Sequence, residues 1–129
     1  MADEVVLLVD VANVMGSRPD GWWRDRLGAA TRLLGELASL TDLSVQGEKV
    51  SVGRILAVVE GKAKGATGPD PVEVIRASAD GDSTIVVVAE QIVAEGGIPL
   101  VATADRGLRA RLPEAALVMG PATLREALS

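Results

Sequence analysis

The chain lacks cysteine, histidine, phenylalanine and tyrosine, and its only aromatic residues are Trp22 and Trp23. Without cysteine and histidine, disulfides, thiol nucleophiles, imidazole catalysis and ordinary zinc sites are excluded. Acid–base or metal chemistry must therefore depend on Asp, Glu, Lys and Arg. Because aromatic side chains are so few, the 48% of hydrophobic residues must form a largely aliphatic core.

Long hydrophobic runs are also missing, since no segment approaches the ~18 apolar residues of a membrane-spanning helix. The apolar run over residues 5–9 is short and follows acidic residues, so we expect neither a signal peptide nor a membrane span there. These features predict a soluble, cytoplasmic protein with no membrane partner. The 129 residues contain no linker or repeat and predict a single domain over residues 1–129. A composition rich in Ala, Gly, Val and Arg but poor in Lys suggests a bacterial source.

Positive charge is in deficit, because the net charge is −5. This argues against a protein that coats DNA without sequence preference. It is compatible with a nucleic-acid enzyme, since an acidic site lowers the net charge and a bound metal ion restores it locally. The basic residues fall partly into three groups: Arg18, Arg24 and Arg26; Lys62 and Lys64; and Arg106, Arg109 and Arg111. For any single group, solvated surface charge is the simpler interpretation.

Apolar runs alternate with amphipathic segments along the chain. They predict strands over residues 5–9, 50–59, 72–77, 98–102 and 116–119, and helices over residues 22–40, 83–95, 105–111 and 121–128. Residues 15–21, 41–49 and 61–71 are interpreted as loops or connections. The alternation predicts an α/β, three-layer, Rossmann-like fold with a central, mostly parallel sheet of four to five strands flanked by helices.

The two tryptophans allow two interpretations. In the predicted helix over residues 22–40, apolar residues recur every three or four positions: Trp23, Leu27, Ala30, Leu34 and Leu37. This spacing predicts one apolar face and places Trp23 in the core. Alternatively, Trp22 and Trp23 could offer a surface on which nucleic-acid bases stack.

Four acidic residues, Asp10, Glu60, Asp82 and Asp105, lie at or close after predicted strand ends. The carboxyl ends of parallel strands share one edge of a sheet, and ligands bind there. Carboxylates that converge at such an edge repel and raise each other's pKa. A cation removes that cost, and carboxylate oxygens are ligands that suit Mg²⁺ or Mn²⁺. The sequence therefore predicts a magnesium or manganese site at this edge.

Each acid also has a simpler structural interpretation. Asp10 could cap a turn or a helix, Asp82 could be the N-cap of the helix over residues 83–95, and Asp105 could cap the short helix that follows it. Glu60 could be an exposed strand end. Asp80 could replace Asp82 as a ligand.

Polar and basic neighbours of these acids complete the predicted site. Asn13, three residues after Asp10, could place its amide on a ligand or a phosphate. Thr103 could support a metal ligand or contact phosphate. Arg106 and Arg109 would lie near the same edge and could neutralise phosphates or pair with surface acids.

The segments LVDVAN, VVEG, GDSTI and TADRGLR, taken in this order, resemble the NYN branch of the PIN-like nucleases. The resemblance extends over roughly residues 5–128. It implies an α/β fold with an acidic metal site and phosphodiester hydrolysis, usually of RNA, that depends on Mg²⁺ or Mn²⁺. It assigns catalytic roles to Asp10, Asn13, Asp82 and Asp105, and metal-ligand roles to Asp10, Glu60, Asp82 and Asp105. Arg18, Asn13, Thr103, Arg106 and Arg109 are the expected substrate contacts.

The chain departs from this family's pattern at two positions. Many relatives carry a second acid directly after the position of Asp82, where this chain has Ser83, and Glu60 stands where aspartate is usual. These departures keep open an alternative, a non-catalytic module that binds RNA or a protein and has a degraded metal site. The segments VVEGKAKG and DGD also resemble a Toprim phosphotransfer core, but that interpretation leaves Asp10, Asn13 and Asp105 without a role. The chain could also form a homodimer through residues 121–129 or an exposed sheet edge.

Overall fold

Strands and helices alternate along residues 4–129, the part of the chain that the computed structural model describes. Residues 1–3 of the predicted domain lie outside the described residues. The elements are β1 (Glu4–Asp10), α1 (Val11–Met15), α2 (Arg26–Leu37), β2 (Asp42–Val45), β3 (Glu48–Val59), β4 (Val72–Arg76), α3 (Gly81–Ala94), β5 (Pro99–Ala102), α4 (Arg106–Arg111), β6 (Leu117–Met119) and α5 (Pro121–Leu128). Short 3-10 helices are formed by Trp22–Arg24 and Gly61–Ala63.

The six strands belong to one sheet with the order β2-β3-β1-β5-β6, and β4 also pairs with β3. β2 and β3 are antiparallel, whereas the other paired strands are parallel. β2 and β4 follow one another along the same side of the long strand β3, because β2 pairs with its start and β4 with its end. The predicted α/β class and mostly parallel sheet are confirmed, but the sheet is mixed and has six strands instead of four or five.

Two elements were missed, α1 and β2. β2 lies in the predicted connection over residues 41–49 and joins β3 through a tight turn in which Gln46 and Gly47 have positive φ values of 51° and 83°. Its polar residues Asp42 and Ser44 are exposed at the sheet edge, which hid the strand pattern. α1 begins directly after β1, with Asp10 as its N-cap.

The helix predicted over residues 22–40 is shorter and begins later. Asp25 has extended backbone (φ −149°) and accepts a hydrogen bond from Gly28 N, so α2 begins at Arg26. This break separates Trp23 from the buried face of the helix. Trp23 is 50% exposed and Leu27 45% exposed, so the expectation that Trp23 lies in the core was wrong.

Each face of the sheet carries its own hydrophobic cluster. Alternation along β1 places Leu7 and Val9 on one face with α1, α2 and α5, and Leu8 on the other face with α3 and α4. The helices therefore form two layers around the sheet, as predicted. None of the helices formed by residues 4–129 has the length and apolar character that crossing a bilayer requires.

Candidate functional site

The strand alternation decides which way the site residues face. Asp10 ends β1 two residues after Leu8, and Glu60 follows β3 two residues after Val58 in extended backbone. Leu8 and Val58 both pack in the cluster under α3. Because side chains on a strand alternate, both acids lie on the α3 side of the sheet at its C-terminal edge. α3 begins at that edge and brings Asp82 to it.

Asp10 and Thr103 are the buried polar or charged residues of the part of the chain that the structure describes. The Asp10 carboxylate accepts a hydrogen bond of 2.9 Å from the Thr103 hydroxyl and one of 3.3 Å from the backbone N–H of Asn13. Burial is the main cause that raises the pKa of Asp10 from its ordinary 3.8 to about 6, and the negative charges of Asp82 and Glu60 add to it. The two hydrogen bonds act in the opposite direction.

Thr103 connects the segments that carry Asp10 and Asp105. Its hydroxyl donates to Asp10 and accepts a hydrogen bond of 3.1 Å from the backbone N–H of Asp105. Its carbonyl oxygen accepts two hydrogen bonds from the Arg109 guanidinium, at 3.0 and 2.6 Å. Thr103 is fully buried, so its hydroxyl is not open to a substrate and instead supports Asp10. The Arg109 guanidinium is held by the Thr103 backbone carbonyl.

Asn13 also holds the loop between β5 and α4, which contains Thr103. Its side-chain oxygen accepts a hydrogen bond of 2.8 Å from the backbone N–H of Ala104. Asp105 is the N-cap of α4 and accepts a hydrogen bond of 3.0 Å from the backbone N–H of Leu108. The loop between β5 and α4 is therefore held against the start of α1, and Asp105 both caps a helix and faces the other acids.

Asp80, and not Asp82, is the N-cap of α3. The Asp80 carboxylate accepts a hydrogen bond of 2.7 Å from the backbone N–H of Ser83, and the hydrogen bonds from Ser83 lower the pKa of Asp80. Asp82 lies in the first turn of α3. Burial raises the pKa of Asp82, and the nearby charges of Asp105, Asp80 and Glu60 raise it further. The interpretation of Asp82 as the helix cap was wrong because α3 begins two residues earlier than predicted.

Gly81, the first residue of α3, contacts the acidic residue Glu60, and this role was missed in the sequence. Its backbone N–H donates a hydrogen bond to the Glu60 carboxylate. A Cβ atom at this position would lie 2.9 Å from Glu60 Oε2, so a larger residue would require the Glu60 carboxylate to move. The available signal was a glycine between Asp80 and Asp82 in the sequence.

We call Asp10, Glu60, Asp82 and Asp105 the acidic cluster. Within residues 4–129 the ion pairs are Lys49–Asp42 and Arg54–Glu73, and neither involves the cluster. The donor set fits a hard divalent cation, because it consists of carboxylate oxygens whose charge has no protein counterion in the described residues. As the side chains stand, no three His, Cys, Asp or Glu residues among residues 4–129 are arranged to hold a metal ion.

The predicted basic contacts lie in different surroundings. Arg106 is exposed at the first position of α4, directly after Asp105. Arg18 lines a separate pocket of about 240 Å³ with Arg125 and Ser129, and no residue of the acidic cluster lines that pocket. The structure thus brings Arg106 next to the cluster and places Arg18 elsewhere, while Arg109 is engaged with Thr103.

No protein-family model and no curated protein sequence matches this chain. Among solved structures, the chain is similar to Rae1 (YacP) from Bacillus subtilis, with a TM-score of 0.74 and 23% sequence identity over 96% of this chain and 74% of that chain. At this identity the similarity shows a shared fold.

Proposed function

We propose that this protein is a metal-dependent nuclease that hydrolyses phosphodiester bonds in RNA. The observation that carries the proposal is the convergence of Asp10, Glu60, Asp82 and Asp105, from four separate segments, at one edge of the sheet. Burial is the main cause of the raised pKa values of Asp10 and Asp82, and the nearby charges of other acids raise both further, which supports a shared site. The order of the motifs, which resembles that of PIN-like NYN nucleases, supports the choice of reaction.

Asp10, Asp82 and Asp105 would hold Mg²⁺ or Mn²⁺, with Glu60 as a direct ligand or one that acts through water. When bound, the ion supplies a Lewis acid that lowers the pKa of water and neutralises charge on phosphoryl oxygens. The chain's own contribution is to fix the acids in place. Thr103 orients Asp10, while the α4 backbone orients Asp105.

Substrate contacts would come from exposed groups around the acidic cluster. Arg106 is the basic residue best placed to contact the RNA backbone beside Asp105. Asn13 uses its side-chain oxygen to hold Ala104, so its amide NH₂ is the group left for a phosphate. Arg18 would contact a more distant part of the RNA chain. Thr103 and Arg109 contribute through the position of Asp10 and are not substrate contacts in this proposal.

The test is cleavage of a short single-stranded RNA by the purified full chain, with Mg²⁺ or Mn²⁺ and with EDTA. Cleavage should require the cation and should fall more than about 100-fold in Asp10→Asn, because an essential ligand is lost. Glu73→Gln, purified in the same way, is the matched control, since Glu73 is an acid outside the cluster that pairs with Arg54. No cation-dependent cleavage, or equal cleavage by wild type and Asp10→Asn, would exclude the proposal.

A non-catalytic module that binds RNA or a protein is the second candidate. It is favoured by two observations: no three carboxylates of the described residues are arranged to hold an ion, and the Ser83 hydroxyl contacts Asp80 and Arg111 where an additional acid is usual in the family. Such a module would not cleave RNA and would not bind Mn²⁺. A Toprim-like function is less well supported, because it gives no role to Asp10, which is the most buried acid of the cluster. The cytoplasmic location and the homodimer stay predictions.

A further inference from the structure

A pocket of about 540 Å³ opens next to the acidic cluster, because Glu60 belongs to the cluster and also lines the pocket. Val11 and Met15 of α1 give it apolar lining, and the Trp22 side chain adds an aromatic ring. Its volume lies within the roughly 300–1,000 Å³ that is usual for small-molecule sites. The pocket is therefore large enough for one flat group and its attached substituents.

Trp22 and Trp23 differ sharply despite being neighbours in sequence. Trp22 is half-buried, packs against the core and lines the pocket. The Arg26 guanidinium lies 5.6 Å from the centroid of its ring, so a cation already covers part of the Trp22 ring. Trp23 is 50% exposed and does not line the pocket. Of the two tryptophans, only Trp22 is placed to bind a ligand beside Glu60.

Charge is distributed unevenly in the pocket lining. Arg26 and Lys62 are exposed cations, and neither forms an ion pair with a carboxylate of residues 4–129. Glu60 and Asp80 also line the pocket and supply carboxylate oxygens. A ligand that suits this lining has a flat apolar body, an anionic substituent and N–H donors on its edge. A nucleotide has all three.

We propose that this pocket, which we call the Trp22 pocket, holds the base of one unpaired nucleotide of the RNA strand, next to the phosphate at the acidic cluster. The base contacts Trp22, its edge donates to Glu60 or Asp80, and its own phosphate contacts Arg26 and Lys62. The inference rests on the proposed nuclease function and adds substrate selection to it. A base in a duplex cannot enter a pocket without leaving its partner, so the pocket favours single strands.

The fluorescence of Trp22 gives the first test of the proposal, because the chain has no tyrosine or phenylalanine. In Trp23→Leu, Trp22 is the only aromatic residue. Titrating this variant in EDTA with a short unstructured RNA should give saturable quenching of Trp22 fluorescence. A strand of the same length with abasic residues should not quench. Quenching by the abasic strand, or none by either strand, would overturn the assignment of a base to the pocket.

Affinity gives the second readout, measured in EDTA by fluorescence anisotropy of a labelled RNA. Trp22→Leu should weaken binding at least about 10-fold, whereas Trp23→Leu should change it less than about twofold. Because Trp22 also packs against the core, Lys62→Gln is compared with Lys64→Gln. Lys62 lines the pocket and Lys64 does not, while both are exposed. The proposal is supported if Lys62→Gln weakens RNA binding more than Lys64→Gln does and also makes binding less dependent on salt. Equal effects of the two variants overturn it.

The two proposals fail in different ways. Base-dependent quenching without any cation-dependent cleavage would keep the Trp22 pocket and exclude the nuclease. In the opposite case, a folded Trp22→Leu variant cleaves single strands and duplexes as the wild type does, and cleavage still requires the cation. That result would keep the nuclease and exclude the pocket.

Discussion

Two sets of carboxylates in this molecule have opposite surroundings. On the surface of the sheet, Glu73 of β4 accepts two hydrogen bonds from the Arg54 guanidinium, at 3.0 and 2.9 Å, and the hydrogen bonding lowers the pKa of Glu73. At the C-terminal edge, Asp10 and Asp82 have raised pKa values and no protein cation pairs with them in the described residues. The fold therefore pairs Glu73 with a cation of its own and leaves Asp10 and Asp82 without a protein counterion among the described residues.

The two sets also differ in how firmly they are held. The Arg54 and Glu73 side chains are about half exposed, at 52% and 49%, so water screens their attraction. Asp10 is 6% exposed and is fixed by Thr103, a residue from a distant segment. Such a pre-oriented, uncompensated acid reduces the stability of the protein alone and favours cation binding. This arrangement is typical of a functional site.

The largest effect is expected from Asp10→Asn, which removes the ionisation of Asp10 and keeps a capping side chain. Below about pH 3 the wild-type carboxyl is protonated in both states, and as the pH rises to about 6 the unfolded state loses this proton first, so wild-type stability falls. The variant lacks this loss. Without cation, its free energy of unfolding relative to wild type should rise by about 3 kcal/mol between pH 3 and pH 8. Urea unfolding measures this, and a difference that does not change with pH would contradict the role of Asp10.

Thr103→Val comes next, because it removes the hydroxyl that donates to Asp10 and accepts from Asp105. The variant should be destabilised by about 1–3 kcal/mol at neutral pH, since a buried carboxylate loses a donor. Because that hydrogen bond lowers the pKa of Asp10, the loss of stability with pH should extend to higher pH in the variant. Thr31→Val is the control, as its hydroxyl only bonds the Leu27 carbonyl on an exposed helix face. If the unfolding curves of Thr103→Val and wild type overlay, the Thr103 hydroxyl does not support Asp10.

Arg109 and Arg106 separate a positioning role from surface charge. Arg109→Gln should cost about 1–2 kcal/mol of stability by freeing the Thr103 carbonyl. It should also weaken Mn²⁺ binding by about 10-fold or more, because Asp10 loses its support. Arg106→Gln should stay within about 0.5 kcal/mol of wild type, since Arg106 is exposed. Thermal unfolding and Mn²⁺ titration check both variants, and equal effects on stability would contradict the positioning role.

Glu73→Gln should give the smallest effect, with the opposite sign to Asp10→Asn. Because the folded-state pKa of Glu73 is lowered, its pair with Arg54 contributes above the ordinary glutamate pKa and is lost as the pH falls. The variant should lose less than about 1 kcal/mol at neutral pH and match the wild type in acid. High salt should reduce the difference further. If Glu73→Gln instead lost several kcal/mol of stability and the loss did not depend on salt, Glu73 would not differ from the acidic cluster in the way described.

Features set by local alternation were predictable from the sequence. Asp10 and Glu60 follow strands whose apolar runs are unambiguous, so their place at one sheet edge followed from the α/β pattern. β2 was missed because its exposed edge carries polar residues, and Trp23 was misplaced because Asp25 interrupts the helical period.

Features set by long-range contacts were not predictable. The hydrogen bond that Gly81 at the start of α3 donates to Glu60 spans 21 positions in sequence. The support of Asp10 by Thr103 spans 93 positions. The distinction between Arg106 and Arg109 depends on which of them reaches the Thr103 carbonyl, and both have the same local sequence signal.

Calorimetric titration with Mn²⁺ at about pH 7.5 decides whether the acidic cluster forms one cation site. We expect micromolar binding by the wild type and by Glu73→Gln, and no binding by Asp10→Asn. Repeated near pH 6, the titration should release protons, because the cation displaces them from acids with raised pKa values. No binding by the wild type at millimolar Mn²⁺, or equal binding by Asp10→Asn, would show that the acidic cluster is not a cation site.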